Sequence, residues 1–376
     1  MSQGLKERNH GIDLLKILSM FMVVIIHIFG HGEILYNTPT GSATYWTAWF
    51  LEVCVFCCVN CFALTTGYLM VGRPFKYRKI IPLWVTVFFY NLVLFGAGIL
   101  FFPSSVNIDQ IFYLTPAISK EYWYFTAYFI LFFFIPFLNK LIEALTKKEF
   151  YILLLTGFLL LSGIHIASVL KADAANLNKG YSAWWMMYLY LLGAGVKKYG
   201  LFTKMSAGMA LLGYIASVSI TFLTSFSATY LRNNNVPFFT YVIKIYGTDR
   251  FIEYISPTVL ASAVFLMIFC LKLKIPKCFN GILAFLSPLV FQVYLIHEHP
   301  VIRSNFVTGK FSYLASRSPI GLALGVLVSA ACIFIICIAI DSVRFYLFKL
   351  LRVNKNINII ADKIKNKFAT KTPSQQ

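Results

Sequence analysis

Residues 11–30 read GIDLLKILSMFMVVIIHIFG, and this stretch decides the fold class. Twenty residues of α-helix extend about 30 Å, which is the thickness of the hydrocarbon core of a bilayer. Only three ionisable side chains, those of Asp13, Lys16 and His27, interrupt the run. The stretch predicts a membrane-spanning helix, and we expect it to be retained because no small-residue cleavage site follows it.

The composition of the whole chain agrees with this prediction. Apolar residues make up 59% of the 376 residues, charged residues 12%, and the mean hydropathy is +0.73. Globular domains carry about 25% charged residues, so this chain has too few to cover a water-facing surface. The composition therefore disfavours a soluble enzyme, a disordered chain and a nucleic-acid-binding domain, and it favours a polytopic membrane protein.

Further apolar segments follow the first one along the chain. Ten spans are predicted in all, at about residues 11–30, 46–70, 81–102, 122–142, 150–170, 183–197, 207–229, 254–272, 281–297 and 319–350. They predict an all-α integral membrane protein of about ten transmembrane helices. Residues 1–350 would form the transmembrane domain, and residues 351–376 would form a basic cytoplasmic tail.

The basic residues predict the orientation of these spans. If the N-terminus is inside, most of the 33 Lys and Arg residues fall on the inner side, as the positive-inside rule requires. Both termini are therefore expected in the cytoplasm, in a multi-pass protein of the cell membrane. The net charge of +19 then records topology and an attraction to anionic lipids, and no nucleic-acid partner is expected.

Ionisable residues share one face of the first span. Lys16 and His27 are eleven residues apart, which is within about 20° of three full helical turns and about 16 Å along the axis. Asp13 and His31 lie close to the same line. A His within a membrane is a functional candidate by default, and a neutral imidazole is the usual general base for a hydroxyl proton. A packing hydrogen bond to a neighbouring helix is the alternative.

Glu52 is the second ionisable residue at predicted membrane depth. It lies in the second span, in Trp49-Phe50-Leu51-Glu52-Val53, at a depth comparable to that of His27. A carboxylate beside His27 would orient the ring and stabilise the imidazolium, as in a catalytic triad. The alternative is that Glu52 lies at the interface and reaches water.

Two other patterns resemble metal motifs. Cys54, Cys57, Cys58 and Cys61 form one helical stripe, which cannot surround a tetrahedral ion and is typical of packing. We expect no metal site there. The run from His297 to His299, His-Glu-His, is a candidate for a metal clip or a sugar-binding rim, although three adjacent residues on one helix do not converge on one ion.

The basic loop 72–79, Gly-Arg-Pro-Phe-Lys-Tyr-Arg-Lys, precedes the third span. Its cations could bind phosphates, or they could simply obey the positive-inside rule. Near the outer ends of other spans lie aromatic residues, among them Trp123, Tyr124 and Trp184, which are also common in ordinary interfacial belts.

Four stretches together resemble the membrane-bound acyltransferase 3 family. They are residues 12–16 with His27, Asn60-Cys61-Phe62-Ala63-Leu64-Thr65-Thr66-Gly67-Tyr68-Leu69, Tyr122-Trp123-Tyr124-Phe125 and Val293-Tyr294-Leu295-Ile296-His297. Two positions depart from the family pattern. Lys16 stands where Arg is frequent, which loses bidentate phosphate geometry, and Thr66 replaces Ser.

The resemblance implies transfer of an acyl group, usually acetyl, from cytosolic acyl-CoA to a hydroxyl of a surface polysaccharide or its lipid-linked precursor. Acyl-CoA would be the donor substrate, and no bound cofactor is expected. The candidate catalytic residues are His27 and Glu52. The candidate acyl-CoA-binding residues are Asp13, Lys16, Arg73, Lys76, Arg78 and Lys79. The candidate acceptor-binding residues are Trp123, Tyr124, Trp184, His297 and Arg303.

A transporter or flippase for a lipid-linked sugar or a small solute is the alternative function. It would share the many spans, the buried His and the aromatic rims. Internal repeats and helices broken in mid-membrane would favour it. No repeat is visible in the sequence, whereas the line of polar residues on the first span favours the enzyme.

Overall fold

The computed structural model describes residues 8–118, 121–167, 173, 175–234, 236, 241, 247–248 and 250–369. The regular secondary structure of these residues is helical, and they include no β-strand. The all-α prediction is therefore confirmed. A long apolar helix satisfies all of its own backbone hydrogen bonds, which is what a lipid environment demands.

The helices of the described residues are numbered here in chain order. In the first half they are α1 (His10–Gly30), α2 (Ile34–Asn37), α3 (Ala43–Val55), α4 (Cys58–Met70), α5 (Ile80–Phe101), α6 (Trp123–Ala144), α7 (Lys147–Gly157) and α8 (Ile164–Ala167). In the second half they are α9 (Ala183–Tyr199), α10 (Ala207–Asn233), α11 (Pro257–Lys272), α12 (Asn280–Leu286), α13 (Val290–His297), α14 (Pro300–Ile302), α15 (Pro319–Leu350) and α16 (Val353–Ala369).

Seven stretches of helix in the described part of the chain are long and apolar enough to cross a membrane. They are His10–Asn37, Ala43–Met70, Tyr77–Phe101, Trp123–Ala144, Lys147–Ala167, Ala207–Asn233 and Pro319–Leu350. An eighth arises if α11 and the helical segment Lys277–Leu286, which are bent by 111°, count as one span. The protein is thus a multi-span membrane protein, while the count of ten and the cytoplasmic termini stay predictions.

Two predicted spans differ from the helices that form. Segment 183–197 becomes α9, only 17 residues long, and it is buried from Trp185 to Val196. A helix that is apolar on every side belongs inside a bundle, and α9 packs against α4, α6 and α7. Segment 281–297 is divided between α12 and α13 at residues 287–289. The apolar run was read correctly, but hydropathy alone does not register a helix break.

Glycines allow α4 and α9 to approach closely. A Cβ atom at Gly67 would lie 2.0 Å from the carbonyl oxygen of Tyr190, and one at Gly193 would lie 2.0 Å from that of Leu64. Replacing either glycine by a larger residue would push the helices apart, which is why small residues are typical of helix contacts in membranes. This contact fixes the wall of the bundle that faces α1.

Two helix breaks occur in the segments that pack around α1. The helix of the second span stops at Val55 and restarts at Cys58, and α12 and α13 are likewise separate. Helix breaks at membrane depth are tolerated where they are buried in protein or line a cavity. Here α1 contacts α3, α4 and α13, and its residues His27 and His31 face a cavity of about 290 Å³.

Candidate active site

His27 lines this cavity from the last turns of α1. The cavity wall also contains Cys58 and Phe62 of α4, together with Tyr124 of α6 and Tyr294 of α13. The wall is mostly apolar with a few polar groups, which is typical of small-molecule sites. His27 is therefore half-buried within the bundle and accessible to a ligand in the cavity.

A chain of hydrogen bonds determines which nitrogen of His27 carries the proton. His297 Nδ1 lies 2.6 Å from the carbonyl oxygen of Val293, which can only accept, so His297 Nδ1 donates. The Nε2 atom of a neutral His297 is then an acceptor, and it lies 2.8 Å from His27 Nδ1. His27 Nδ1 must therefore be the donor. In the neutral ring this leaves His27 Nε2 unprotonated and basic.

Among the described residues, Glu298 provides the carboxylate that contacts His27. Its Oε2 atom lies 3.1 Å from His27 Nδ1, and its Oε1 atom lies 3.3 Å from His31 Nε2. Burial alone would raise the pKa of the Glu298 carboxyl, but the neighbouring His27 and His31 outweigh burial and hold that pKa well below its usual range. An ionised Glu298 would stabilise an imidazolium on His27 as it forms.

Arg303 completes the charge arrangement around Glu298. Its guanidinium lies 2.6 Å from Glu298 Oε1 and 3.1 Å from Glu121 Oε1. Two carboxylates from different segments thus share one cation, which joins the start of α6 to the end of α13. Arg303 was predicted as an acceptor-binding residue, whereas its guanidinium is paired here with carboxylates of the protein itself.

The predicted pairing of Glu52 with His27 does not form. Within the described residues, the ring of His27 contacts His297 and Glu298. Glu52 is only 5% exposed, and its buried Oε2 atom has no hydrogen-bond partner there. Equal depth in the membrane does not fix the rotation of a helix, and α3 turns Glu52 toward the side of Tyr181 and Tyr254.

Glu298 is therefore the functional candidate that the sequence reasoning missed. It was noticed only as part of the His-Glu-His run at residues 297–299, read as a metal clip or a sugar-binding rim. Its position directly after His297, at the end of a helix that packs on α1, is the feature that could have indicated Glu298 as a partner of His27. That packing is a tertiary fact, which spacing along the chain does not reveal.

Asp13 and Lys16, at the opposite end of α1, already have partners. Asp13 accepts hydrogen bonds from Arg8 at 2.6 and 3.0 Å, and His10 lies 3.2 Å from it. Lys16 donates to Ser287 Oγ at 3.0 Å, in the break between α12 and α13. Arg8 had not been predicted as a site residue. These groups form a polar cluster at the Lys16 end of α1.

The four basic residues of the loop before α5 lie apart from that cluster. Arg73, Lys76 and Lys79 are exposed, and Arg78 is paired with Asp362 of α16 at 3.0 Å. Exposed cations on a loop are available to phosphate groups, but no enclosed phosphate cradle is built around them in the described part of the chain.

The predicted acceptor residues divide into two groups. Trp123 and Tyr124 line the cavity beside His27, and His297 holds the His27 ring from behind. Trp184 is 64% exposed at the start of α9, and it does not line this cavity. Tyr181 and Tyr254, which no prediction named, form the rest of the aromatic wall.

Three side chains around His27 are spaced so that they could bind a divalent ion. Ligand atoms of His27, His31 and Glu298 lie within 4.8 Å of one another. The guanidinium of Arg303, however, already lies against Glu298 Oε1 and would repel a cation there. The contacts therefore fit a hydrogen-bonded cluster better than a metal centre. The cysteines of α3 and α4 are free and mostly buried, in keeping with packing.

The hydrogen-bonded relay from Val293 through His297 ends on a basic nitrogen of His27, inside a multi-span membrane bundle. The fold and the site are thus those of a membrane protein with a group suited to acid–base chemistry. Comparison with known families makes this more specific. Residues 9–341 match the Acyl_transf_3 family, described as an acyltransferase domain, and the chain belongs to this family. No curated protein and no solved structure matches the chain. The protein is thus a membrane-embedded member of an acyltransferase family.

Proposed function

We propose that this acyltransferase moves an acyl group, most simply acetyl, from acyl-CoA to a hydroxyl of a cell-surface glycan or its lipid-linked precursor. The observation that carries the proposal is the relay from the Val293 carbonyl through His297 to His27, with Glu298 beside it. It leaves a basic nitrogen on a ring that lines a cavity large enough for a small ligand. The enzyme would act in the cell membrane.

His27 would act as the general base. Its Nε2 atom would remove the proton from the acceptor hydroxyl while the oxygen attacks the thioester carbonyl. The tetrahedral intermediate would then collapse, break the carbon–sulfur bond and release the CoA thiolate, which takes the proton back from His27. A two-step route, in which His27 Nε2 first accepts the acyl group, uses the same atom. Glu298 would stabilise the imidazolium in the first route.

Tyr294 is the proposed donor to the oxyanion. Its ring centroid lies 6.4 Å from that of His27, and it lines the same cavity. Its buried hydroxyl has no hydrogen-bond partner among the described residues. A buried donor without a partner is costly, and it would gain one when negative charge develops on the carbonyl oxygen.

The donor would enter from the Lys16 end of α1. Lys16 and the exposed cations Arg73, Lys76 and Lys79 would meet the phosphates of acyl-CoA, and Arg78 would join them after leaving Asp362. Asp13 would hold this end of the site through Arg8. The distance of about 16 Å along α1 from Lys16 to His27 is one that an extended pantetheine arm can cover.

The acceptor would enter from the aromatic end of the cavity. Trp123 and Tyr124 would contact the sugar, while His297 and Arg303 would act through His27 and Glu298. Trp184, at the exposed start of α9, could reach only a longer glycan. For Glu52 we propose a role on the acceptor side, next to Tyr181 and Tyr254, in place of the pairing with His27.

Labelled acetyl-CoA and a panel of glycan acceptors would test the proposal. Full-length protein in nanodiscs should yield a labelled product, and His27→Ala should not. If neither labelled product nor labelled enzyme appears with any acceptor or acyl-CoA tried, the proposed reaction is wrong. A flux assay in liposomes under the same conditions would then test the transporter.

The helix breaks are the one observation that favours the transporter alternative. Transporters often bind substrate at discontinuous helices, and here the second span is broken between Val55 and Cys58. The membership of the acyltransferase family supports the enzyme instead. A basic nitrogen held by a relay is also more than a binding site requires.

A further inference from the structure

Three aromatic rings stand together on the cavity wall away from α1. The ring centroids of Trp123 and Tyr181 are 4.6 Å apart, and those of Tyr181 and Tyr254 are 5.0 Å apart. All three rings line the cavity that contains His27. None of them belongs to the relay or to the charge network around Glu298, so the general-base chemistry does not explain why they are gathered here.

Tyr181 and Tyr254 come from two separate loops that touch through a glycine. Gly180 has φ +101°, and a Cβ atom there would lie 2.6 Å from Cβ of Tyr254. The two residues before it, Asn178 and Lys179, also have left-handed backbone, with φ of 48° and 57°. Such conformations are costly for residues other than glycine, so surrounding contacts must hold this loop in place.

A partly buried cluster of ionisable side chains supplies those contacts. Glu253 places one carboxylate oxygen 2.8 Å from His165 Nε2 and the other 3.3 Å from Lys179 Nζ. The guanidinium of Arg250 donates to the main-chain carbonyl of His165. Glu253 precedes Tyr254, and Lys179 lies two residues before Tyr181. The cluster therefore joins the two loops immediately beside the residues that present the rings.

The ring faces and their neighbours fit a sugar. A pyranose has an apolar face of C–H groups, which can cover an aromatic ring, and a rim of hydroxyl groups, which needs polar partners. The phenol groups of Tyr181 and Tyr254 provide such partners, and the buried carboxyl of Glu52 lies near both. A cavity of about 290 Å³ has room for a monosaccharide but not for a long glycan.

We propose that Trp123, Tyr181 and Tyr254 form a saccharide subsite that stacks one pyranose ring of the acceptor, and that Glu253 is its positioning residue. The inference rests on the proposed function for its use in catalysis, but the binding of a saccharide can be measured without turnover. Glu253 holds Lys179 and His165, fixes the loop at Gly180 and so sets the distance between Tyr181 and Tyr254.

Saturation-transfer NMR tests the subsite directly. The full-length protein, in a zwitterionic detergent without a sugar headgroup, would be given methyl glycosides of glucose, galactose, mannose, rhamnose and N-acetylglucosamine. At least one should bind, Tyr181→Leu should weaken that binding by about tenfold, and Tyr181→Phe should weaken it less because the ring remains. The subsite is refuted if no glycoside binds, or if Tyr181→Leu binds as well as the native protein.

Steady-state kinetics test the positioning role. The side chain of Lys179 is largely exposed, so the protein should fold without it. Lys179→Met should raise the KM for the acceptor by about threefold. Lys179→Arg should restore it, and kcat and the KM for acyl-CoA should be unchanged. Glu253→Gln should act in the same direction and more strongly. A loss spread over kcat and both KM values would indicate a merely structural role and would overturn this part.

The two proposals fail in different ways. If glycosides bind to native protein and not to Tyr181→Leu, but acyl-CoA yields no product or labelled enzyme, the subsite stands and the acyl-transfer proposal fails. If acyl transfer to a non-sugar alcohol succeeds while no glycoside binds, the reaction stands and the subsite is wrong. The inactive His27→Ala variant should bind glycosides as the native protein does, since its ring is not part of the stacking wall.

Discussion

Two His–Glu contacts in the described part of the chain, His27–Glu298 and His165–Glu253, differ in what surrounds them. His27 lies 3.1 Å from Glu298, whose other oxygen is held by Arg303. His165 lies 2.8 Å from Glu253, whose other oxygen faces Lys179. Each pair thus has a carboxylate shared between an imidazole and a cation. On residue type and distance alone the two are nearly equivalent.

The two histidines differ in their access to the cavity. The ring of His27 lines a cavity, whereas both ring nitrogens of His165 are buried and none of its atoms contributes to that cavity wall. A general base must reach the proton that it removes, so only His27 can serve as one. The second pair joins two loops. A His–carboxylate contact can therefore support general-base chemistry only where a nitrogen of the ring is free to meet a substrate.

The largest expected effect comes from removing His27. His27→Ala should lower kcat by about 10²- to 10⁴-fold, which is what a general base typically contributes. The matched variant His165→Ala should keep kcat within the range of the native enzyme and change the acceptor KM instead. Acyl transfer from labelled acetyl-CoA measures both. Equal losses of kcat in the two variants would abolish the distinction between the pairs.

The two carboxylates provide the next test. Glu298→Gln removes the charge that stabilises imidazolium on His27, and it should lower kcat by about a hundredfold or more, because disturbing the orienting carboxylate of a serine-protease triad costs about 10⁴-fold. Glu253→Gln should leave kcat nearly unchanged. Glu52→Gln should cost less kcat than Glu298→Gln. Should Glu52→Gln prove the more damaging of these two, Glu52 would be the partner of His27 after all.

Tyr294 tests whether the cavity stabilises an oxyanion. Tyr294→Phe keeps the ring and removes the hydroxyl, so kcat should fall by about ten- to a hundredfold, while the acceptor KM changes little. Tyr230→Phe, on an exposed face of α10, is the control and should behave as native. A native kcat in Tyr294→Phe would assign the oxyanion contact to another donor.

The smallest of these effects concerns the donor end of α1. Lys16→Met should raise the KM for acyl-CoA by about tenfold, the value of one charged hydrogen bond, and it should leave the acceptor KM unchanged. Lys204→Met, which removes an exposed lysine on the same predicted side of the membrane, should change neither. If Lys16→Met shifts the acceptor KM instead, the donor does not meet the protein at this end.

Much of the fold follows from the sequence because lipid leaves few choices. Apolar runs of about 20 residues can only be helices in a bilayer, so the all-α fold and the spans of α1, α5 and α15 could be predicted from composition and length. The helix breaks could not be predicted in this way. Whether an apolar run such as 281–297 is one helix or two depends on what packs against it, as Ser287 does with Lys16.

The site was predicted in the same uneven way. The shared face of Lys16 and His27 follows from 100° per residue within one helix, and the two do lie on α1 at opposite ends. The partner of His27 requires the rotation and packing of a second helix. The depth in the membrane led the sequence reasoning to Glu52, and only the packing of α13 on α1 identifies Glu298 instead.

The tautomer of His27 is the most direct test of the central claim, that a relay leaves its Nε2 atom basic. Protein labelled with ¹⁵N-histidine contains six such residues, and the spectrum of His27→Gln identifies the signals of His27. Solid-state NMR at neutral pH should find Nδ1 protonated and Nε2 unprotonated. A proton on Nε2, with Nδ1 accepting, would contradict the relay and with it the role of His27 as the general base.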